Sequence, residues 1–212
     1  MSQIALPFDW PAPEDSDSFI VTAANRNAVD GIDRSSSWPV RAAILTGPRK
    51  SGRSLLGRIF AAKTGGTLID DGEQHRETEI FHRWNAAQEE RKPLLIVAMS
   101  PPPIWKVRLP DLASRLSATP VFTLGDPDDV LVAMLLEKLL GQRGLQLGPG
   151  VINYIATRIE RSYIALMRVI DALDSAALSQ HRAVTLKLVR VVLQDLHMMD
   201  GYENTAGADN VE

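Results

Sequence analysis

Apolar residues follow two rhythms along this chain. Up to about residue 125, short apolar runs at 42–46, 67–71, 93–99 and 120–124 alternate with amphipathic stretches. Beyond it, helical spacing continues to about residue 197. The first three runs read as buried strands and the fourth as a further strand, since they are short, partly β-branched and bounded by Gly, Pro or paired acids. The stretches between them read as helices over 24–33, from the loop at 47–54 to Lys63, over 77–90 with Ile80, Phe81, Trp84 and Ala87 on one stripe, and a short turn at 110–116. Strands alternating with helices call for a parallel sheet with right-handed crossovers.

In the second half, Asp126-Pro127-Asp128-Asp129 opens a helix to Gly141 with Val130, Met134, Leu135 and Leu139 turned inward. Gly148-Pro149 starts another through Arg161, Ser162 caps a third to about Ser179, and Thr185 starts a fourth to about His197. The predicted organisation is a flexible arm at 1–18, an α/β domain at 19–125, a helical domain at 126–199 and a polar, disordered tail at 200–212.

Gly47-Pro48-Arg49-Lys50-Ser51-Gly52-Arg53-Ser54 stands between the first strand and the first long helix, which continues with Leu55. A Gly-x4-Gly turn there lets backbone N–H groups face phosphate oxygens while the helix N-terminus adds partial positive charge. The common form of this loop ends Gly-Lys-Ser or Gly-Lys-Thr, and this one ends Gly52-Arg53-Ser54. Arginine keeps the charge but spreads it over a planar fork, which suits holding a nucleotide better than fast hydrolysis. Taken alone, the pattern also fits an ordinary turn before a helix. The second run ends in Asp70-Asp71, where Asp70 is positioned to hold Mg²⁺ with the Ser54 hydroxyl and Asp71 to orient a water. An Asp-Asp-Gly turn is the alternative.

Composition narrows these readings. The 212 residues are 45% hydrophobic and 23% charged, enough for an α/β domain and a smaller appended one. There is no cysteine, which rules out disulfides and thiolate metal sites and suits a reducing cytoplasm. A net charge of −3 argues against a broad nucleic-acid footprint. No apolar run reaches the roughly 18 residues of a membrane span. His75, His82, His181 and His197 share no metal-ligand spacing.

Together these features resemble the DnaA-related AAA+ family of P-loop proteins, and within it the Hda type. Gln3, Ile4, Leu6, Pro7 and Phe8 resemble a peptide that binds the DNA polymerase sliding clamp. Phe19-Ile20-Val21 with Ala24-Asn25 is similar to the family's adenine-side segment, Leu68-Ile69-Asp70-Asp71 to Walker B, Leu112-Ala113-Ser114-Arg115-Leu116 to box VII, and Arg158-Ile159-Glu160-Arg161 to the opening of the sensor 2 helix. Arg53 in the loop is a feature of the Hda type. The resemblance implies an AAA+ core with a reduced parallel sheet in the family's strand order 5-1-4-3, because 63–67 leaves no room for the usual second strand, and a C-terminal helical lid.

The resemblance further implies ADP or ATP with Mg²⁺ held by Phe19, Ile20, Gly47, Pro48, Ser51, Gly52, Arg53, Ser54 and Leu55, with the metal at Ser54 and Asp70. It makes Arg115 and Asp71 the catalytic candidates, Arg115 acting in trans on ATP bound to the DnaA initiator. The implied partners are the clamp and DnaA, with no direct sequence-specific DNA contact, no membrane, a cytoplasmic location and room for a homodimer. Ser100 replaces the family's sensor 1 acid, and Ile164 stands where a sensor 2 arginine is expected, leaving Arg161 or Arg168 as substitutes. Two alternatives stay open at this point: an ATPase using its own Ser54, Asp70 and Asp71, and an interaction module that holds no nucleotide.

Overall fold

The computed structural model describes residues 19–180 and 184–196. The clamp-like peptide (Gln3, Ile4, Leu6, Pro7, Phe8) and the tail at 200–212 lie outside the described residues. Strands β1 (Ala42–Thr46), β2 (Thr67–Ile69), β3 (Leu94–Val97) and β4 (Val121–Thr123) form one parallel sheet in the order β2-β3-β1-β4. With the family's numbers for these strands, this is the expected order 5-1-4-3. Ile44 pairs with Ile96 on one side and Val121 on the other, so β1 is the centre of the register.

Helix α1 (Arg26–Asp33) precedes the sheet, and α2 (Arg53–Thr64), α3 (Glu77–Glu90) and α4 (Pro110–Ser117) are the crossovers. Side chains alternate across a strand, so each strand feeds two cores. Ala43, Leu45, Leu95 and Val97 pack with Ala28 and Ile32 of α1 and Leu56 and Phe60 of α2. Ala42, Ile44, Leu94 and Ile96 face Ile80 of α3 and Leu112 and Leu116 of α4. The loop helix α2 and the Arg115 helix α4 therefore lie on opposite faces of the sheet. Gly65, in the left-handed region at φ 65°, ends α2 as the Gly65-Gly66 pair predicts.

Helices α5 (Asp129–Gln142), α6 (Pro149–Ala156), α7 (Tyr163–Gln180) and α8 (Leu186–Asp195) enclose a third core around Leu136, Leu140, Leu166, Ile170 and Val189. The predicted caps are present: Asp128 accepts from Leu131 N at 2.7 Å, Ser162 Oγ from Ala165 N at 3.1 Å, and Thr185 Oγ1 from Leu188 N at 3.3 Å.

Three expectations are corrected. The run at 67–71 is not a buried strand but a three-residue edge strand with Thr67 exposed, because only β3 covers its flank. On α5 the inward face is shifted by one position: Leu131, Val132, Leu136 and Leu140 are buried, while Val130 and Met134 are exposed. Helix α6 ends at Ala156, and Arg158 to Ser162 form a turn, so Arg158 does not open the following helix.

Candidate nucleotide-binding site

The loop after β1 is built from backbone conformations that few side chains tolerate. Gly47 has φ 152° and Gly52 φ 87°, and a Cβ at Gly47 would stand 2.9 Å from the Leu124 Cβ. Lys50 adopts φ 66°, an uncommon state for a residue with a side chain. Ser51 is buried, yet its Oγ finds no hydrogen-bond partner among the described residues. A buried hydroxyl without a partner costs on the order of 1–3 kcal/mol, and an oxyanion in the loop would recover it.

The paired residues predicted at the metal position meet. Ser54 Oγ donates to Asp70 Oδ1 at 3.0 Å, and Asp71 N donates to the same oxygen at 3.1 Å. Asp71 itself is exposed, in the left-handed region at φ 50°. The Arg53 guanidinium reaches across to the sheet, where Nη1 donates to the Ala98 carbonyl just past β3. Glu73 was not singled out by the sequence; its carboxylate accepts from Met99 N and Ser100 N at 2.6 and 3.2 Å and so fixes the sensor 1 position.

Beside the loop lies a cavity of about 260 Å³. Phe19, Ile20, Asn25, Ser51, Gly52 and Leu55 line it from the α/β side, with the Phe19 ring over Gly52. Gly47 and Pro48 belong to the adjoining loop, and Arg53 and Ser54 open α2. The opposite wall comes from the helical part: Leu131, Leu135 and Leu139 of α5, and Tyr163 and Met167 of α7. Spacing of four on both helices puts these residues in line, a signal that becomes readable once the two helices are known to face the loop.

None of the arginines weighed for sensor 2 lines this wall. Ile164 is 46% exposed and Arg168 points to solvent. Arg161 is engaged by Asp129 through a two-pronged pair at 2.9 and 3.0 Å. Tyr163 takes the facing position instead. It donates to the Gly125 carbonyl at 3.2 Å, and burial together with Asp126 and Asp128 pushes its phenol up to about 12. Asp128 ties the two walls together, since one carboxylate oxygen caps α5 and the other accepts from Ala24 N at 3.2 Å.

Arg115 lies on the far face of the sheet. Its Cζ is 4.2 Å from the centre of the Phe81 ring and 5.0 Å from that of Trp84, and its Nη1 is buried without a hydrogen-bond partner among the described residues. The cation thus lies over both aromatic rings, whose faces attract it. The sheet separates it from the loop of its own chain.

Residues 129–193 match the family model of the Hda lid domain. The helical part is a lid of the Hda type, and the chain as a whole has the AAA+ fold of DnaA domain III. Domain III of the Thermotoga maritima replication initiation protein DnaA superposes with a TM-score of 0.69 at 19% identity, over 84% of this chain and 95% of that one. AMPPCP-bound DnaA from Aquifex aeolicus gives 0.58 at 16% identity, over 77% and 65%. The Thermotoga maritima RuvB Holliday junction branch migration motor gives 0.60 at 13%, over 87% and 72%. An uncharacterised protein of Haemophilus influenzae is 32% identical over 123 residues, 58% of this chain and 53% of that protein, so this chain spans about half the length of the relative it matches. Among the described residues no helix is long and apolar enough to cross a membrane.

Proposed function

We propose that this protein regulates replication initiation by holding an adenine nucleotide, ADP or ATP, in the cleft between its α/β and helical parts and presenting Arg115 to ATP bound on a neighbouring DnaA. The carrying observation is the position of Arg115: stacked on Phe81 and Trp84, it lies on the sheet face opposite its own loop, away from its own nucleotide site, which supports action on another molecule's nucleotide. The partner class is supported by the match of 129–193 to the Hda lid domain.

The residues present fit a nucleotide. The partnerless Ser51 Oγ and the glycine-built turn suit phosphate oxygens, and the cavity walled by Phe19, Ile20 and Leu131 suits a base. Ser54 and Asp70 fit Mg²⁺ as a hydroxyl and carboxylate pair, with phosphate and water completing the shell. The ion would supply charge neutralisation at the outer phosphates. Arg53 remains tied to the Ala98 carbonyl and no lid arginine lines the cavity, which supports holding over turnover and comparable binding of ADP and ATP.

Hydrolysis on the partner is attack of water on the γ-phosphorus with cleavage of the bond to the β-phosphate oxygen. Negative charge builds on the transferring oxygens, and an arginine supplied in trans stabilises it. In this reading the division of the chain falls at Gly125, the segment Gln3, Ile4, Leu6, Pro7 and Phe8 brings the molecule to the sliding clamp, and the complex works in the cytoplasm, with a homodimer as a compatible state. The test is to incubate clamp, DNA and ATP-loaded DnaA with this protein. Accelerated hydrolysis of the DnaA-bound nucleotide, lost with Arg115→Ala, is expected; unaltered hydrolysis with both partners bound sinks the reading.

The Ser54–Asp70 pair also favours a second reading, an ATPase acting on its own nucleotide. Turnover by the isolated protein that is abolished by Asp71→Asn and indifferent to Arg115→Ala would establish it instead.

A further inference from the structure

The segment between β3 and α4 is irregular in backbone but fixed at both ends. Glu73 accepts from Met99 N and Ser100 N at its start, and Glu77 accepts from Arg108 N and Leu109 N at 2.9 and 2.6 Å at its end. In the middle Trp105 is buried against Gly72, where a Cβ would stand 3.1 Å from the indole, and Trp105 N donates to the Pro101 carbonyl at 3.1 Å. Two carboxylates and a buried indole thus immobilise a loop whose neighbouring residue, Ile104, is 73% exposed. Holding an apolar side chain rigidly in water gains nothing for folding, whereas it removes the ordering cost of an interface.

Beside Ile104 runs a groove of about 550 Å³ lined by Pro102, Pro103, Trp105, Val107, Ala113 and Ser117, with Lys106 at its rim. Its far wall is α4. One flank of that helix supplies Ala113 and Ser117, and another sends Arg115 over Phe81 and Trp84. Exposed Ser114 stands between these two flanks, so a molecule that lies along the open face of α4 reaches Arg115 on one side and the groove on the other.

We infer that the loop 99–109 and this groove are the docking element for the ATP-bound AAA+ partner that receives Arg115, taking an apolar side chain of that partner into the groove beside Ile104. The occupant is argued from continuity, since groove and arginine share α4, and from charge: Lys106, Arg108 and Arg115 call for a partner surface with carboxylates around the apolar contact. A small apolar anchor with a charged rim is the usual energetic core of a transient interface. The inference rests on the trans-arginine reading above.

The experiment measures hydrolysis of DnaA-bound ATP, with clamp and DNA, stimulated by the full chain and by Ile104→Asp, Lys106→Glu and Arg115→Ala. Ile104 and Lys106 are exposed, so thermal midpoint and ADP affinity are expected to stay at the wild-type value, which separates a docking loss from misfolding. Ile104→Asp is expected to raise the concentration needed for half-maximal stimulation about tenfold with the plateau rate retained, and Lys106→Glu to do so more weakly. Arg115→Ala is expected to lower the plateau. If Arg115→Ala lowers the plateau while Ile104→Asp titrates like the wild type, the docking surface is refuted and the trans-arginine reading stands. If the wild type gives no stimulation, or Arg115→Ala stimulates as the wild type does, both fall.

Discussion

Ser54 Oγ meets Asp70 Oδ1 at 3.0 Å across 16 residues of sequence. The β1–α2–β2 connection is just long enough to return the chain to the same sheet edge, so the start of α2 and the end of β2 become neighbours. Asp70→Asn preserves the shape and removes the charge that Mg²⁺ needs. It is expected to weaken Mg²⁺-dependent ADP binding about tenfold while changing stability by less than about 1 kcal/mol. Calorimetric titration with and without Mg²⁺ checks this; an unchanged metal dependence in the variant would place the ion elsewhere.

Arg53 is committed to the Ala98 carbonyl. Arg53→Ala removes that bond, with an expected cost of about 1–2 kcal/mol in urea unfolding, and takes a cation away from the phosphate loop, with a loss of ADP affinity. Arg53→Lys keeps the cation but not the planar fork, so the stability cost is expected with affinity retained. Loss of affinity in the lysine variant as well would mean that the tether itself shapes the loop.

The aromatic bed under Arg115 makes an Arg-to-Lys change non-conservative here. Arg115→Lys is expected to lower stimulation of the partner's hydrolysis by at least on the order of a hundredfold, and Phe81→Ala to reduce it in the same direction. ADP affinity is expected to be untouched in both, because the sheet lies between Arg115 and the loop. Parallel loss of ADP binding would contradict that separation.

Tyr163 carries a pH signature. Its phenol is neutral when protonated, and the folded state raises its pKa from 10.0 to about 12. The unfolded chain therefore ionises first. The stabilisation is fully present below about pH 10 and is lost as pH rises from there through about 12. Tyr163→Phe, which also removes the bond to the Gly125 carbonyl, is expected to cost about 1 kcal/mol near neutrality and to flatten the alkaline slope of stability. Chemical unfolding between pH 8 and 12 in both proteins, buffers matched, reads the difference.

Much of this molecule follows from local pattern. The apolar runs at 42–46 and 93–99 contain β1 and β3, the period of the stripe bearing Ile80 and Ala87 gives α3 its bounds, and Gly65 stops α2, because strand period, helix period and a left-handed glycine are properties of a few consecutive residues. The loop at 47–54 and the acids at Asp70 and Asp71 were legible for the same reason, with the family resemblance supplying Arg115. What the sequence determined by itself is this succession of strands, helices and turns, and the chemistry placed at their ends. Tertiary structure decided which of these surfaces meet. Only packing could turn α5 by one position to bury Leu131 and expose Val130, bring Tyr163 and Met167 to the cavity in place of an arginine, lay Arg115 on Phe81 and Trp84, and send Glu73 and Glu77 to the loop at 99–109. Those outcomes depend on the competition among distant apolar and polar groups for the same space and the same partners, and that competition is settled when the elements assemble.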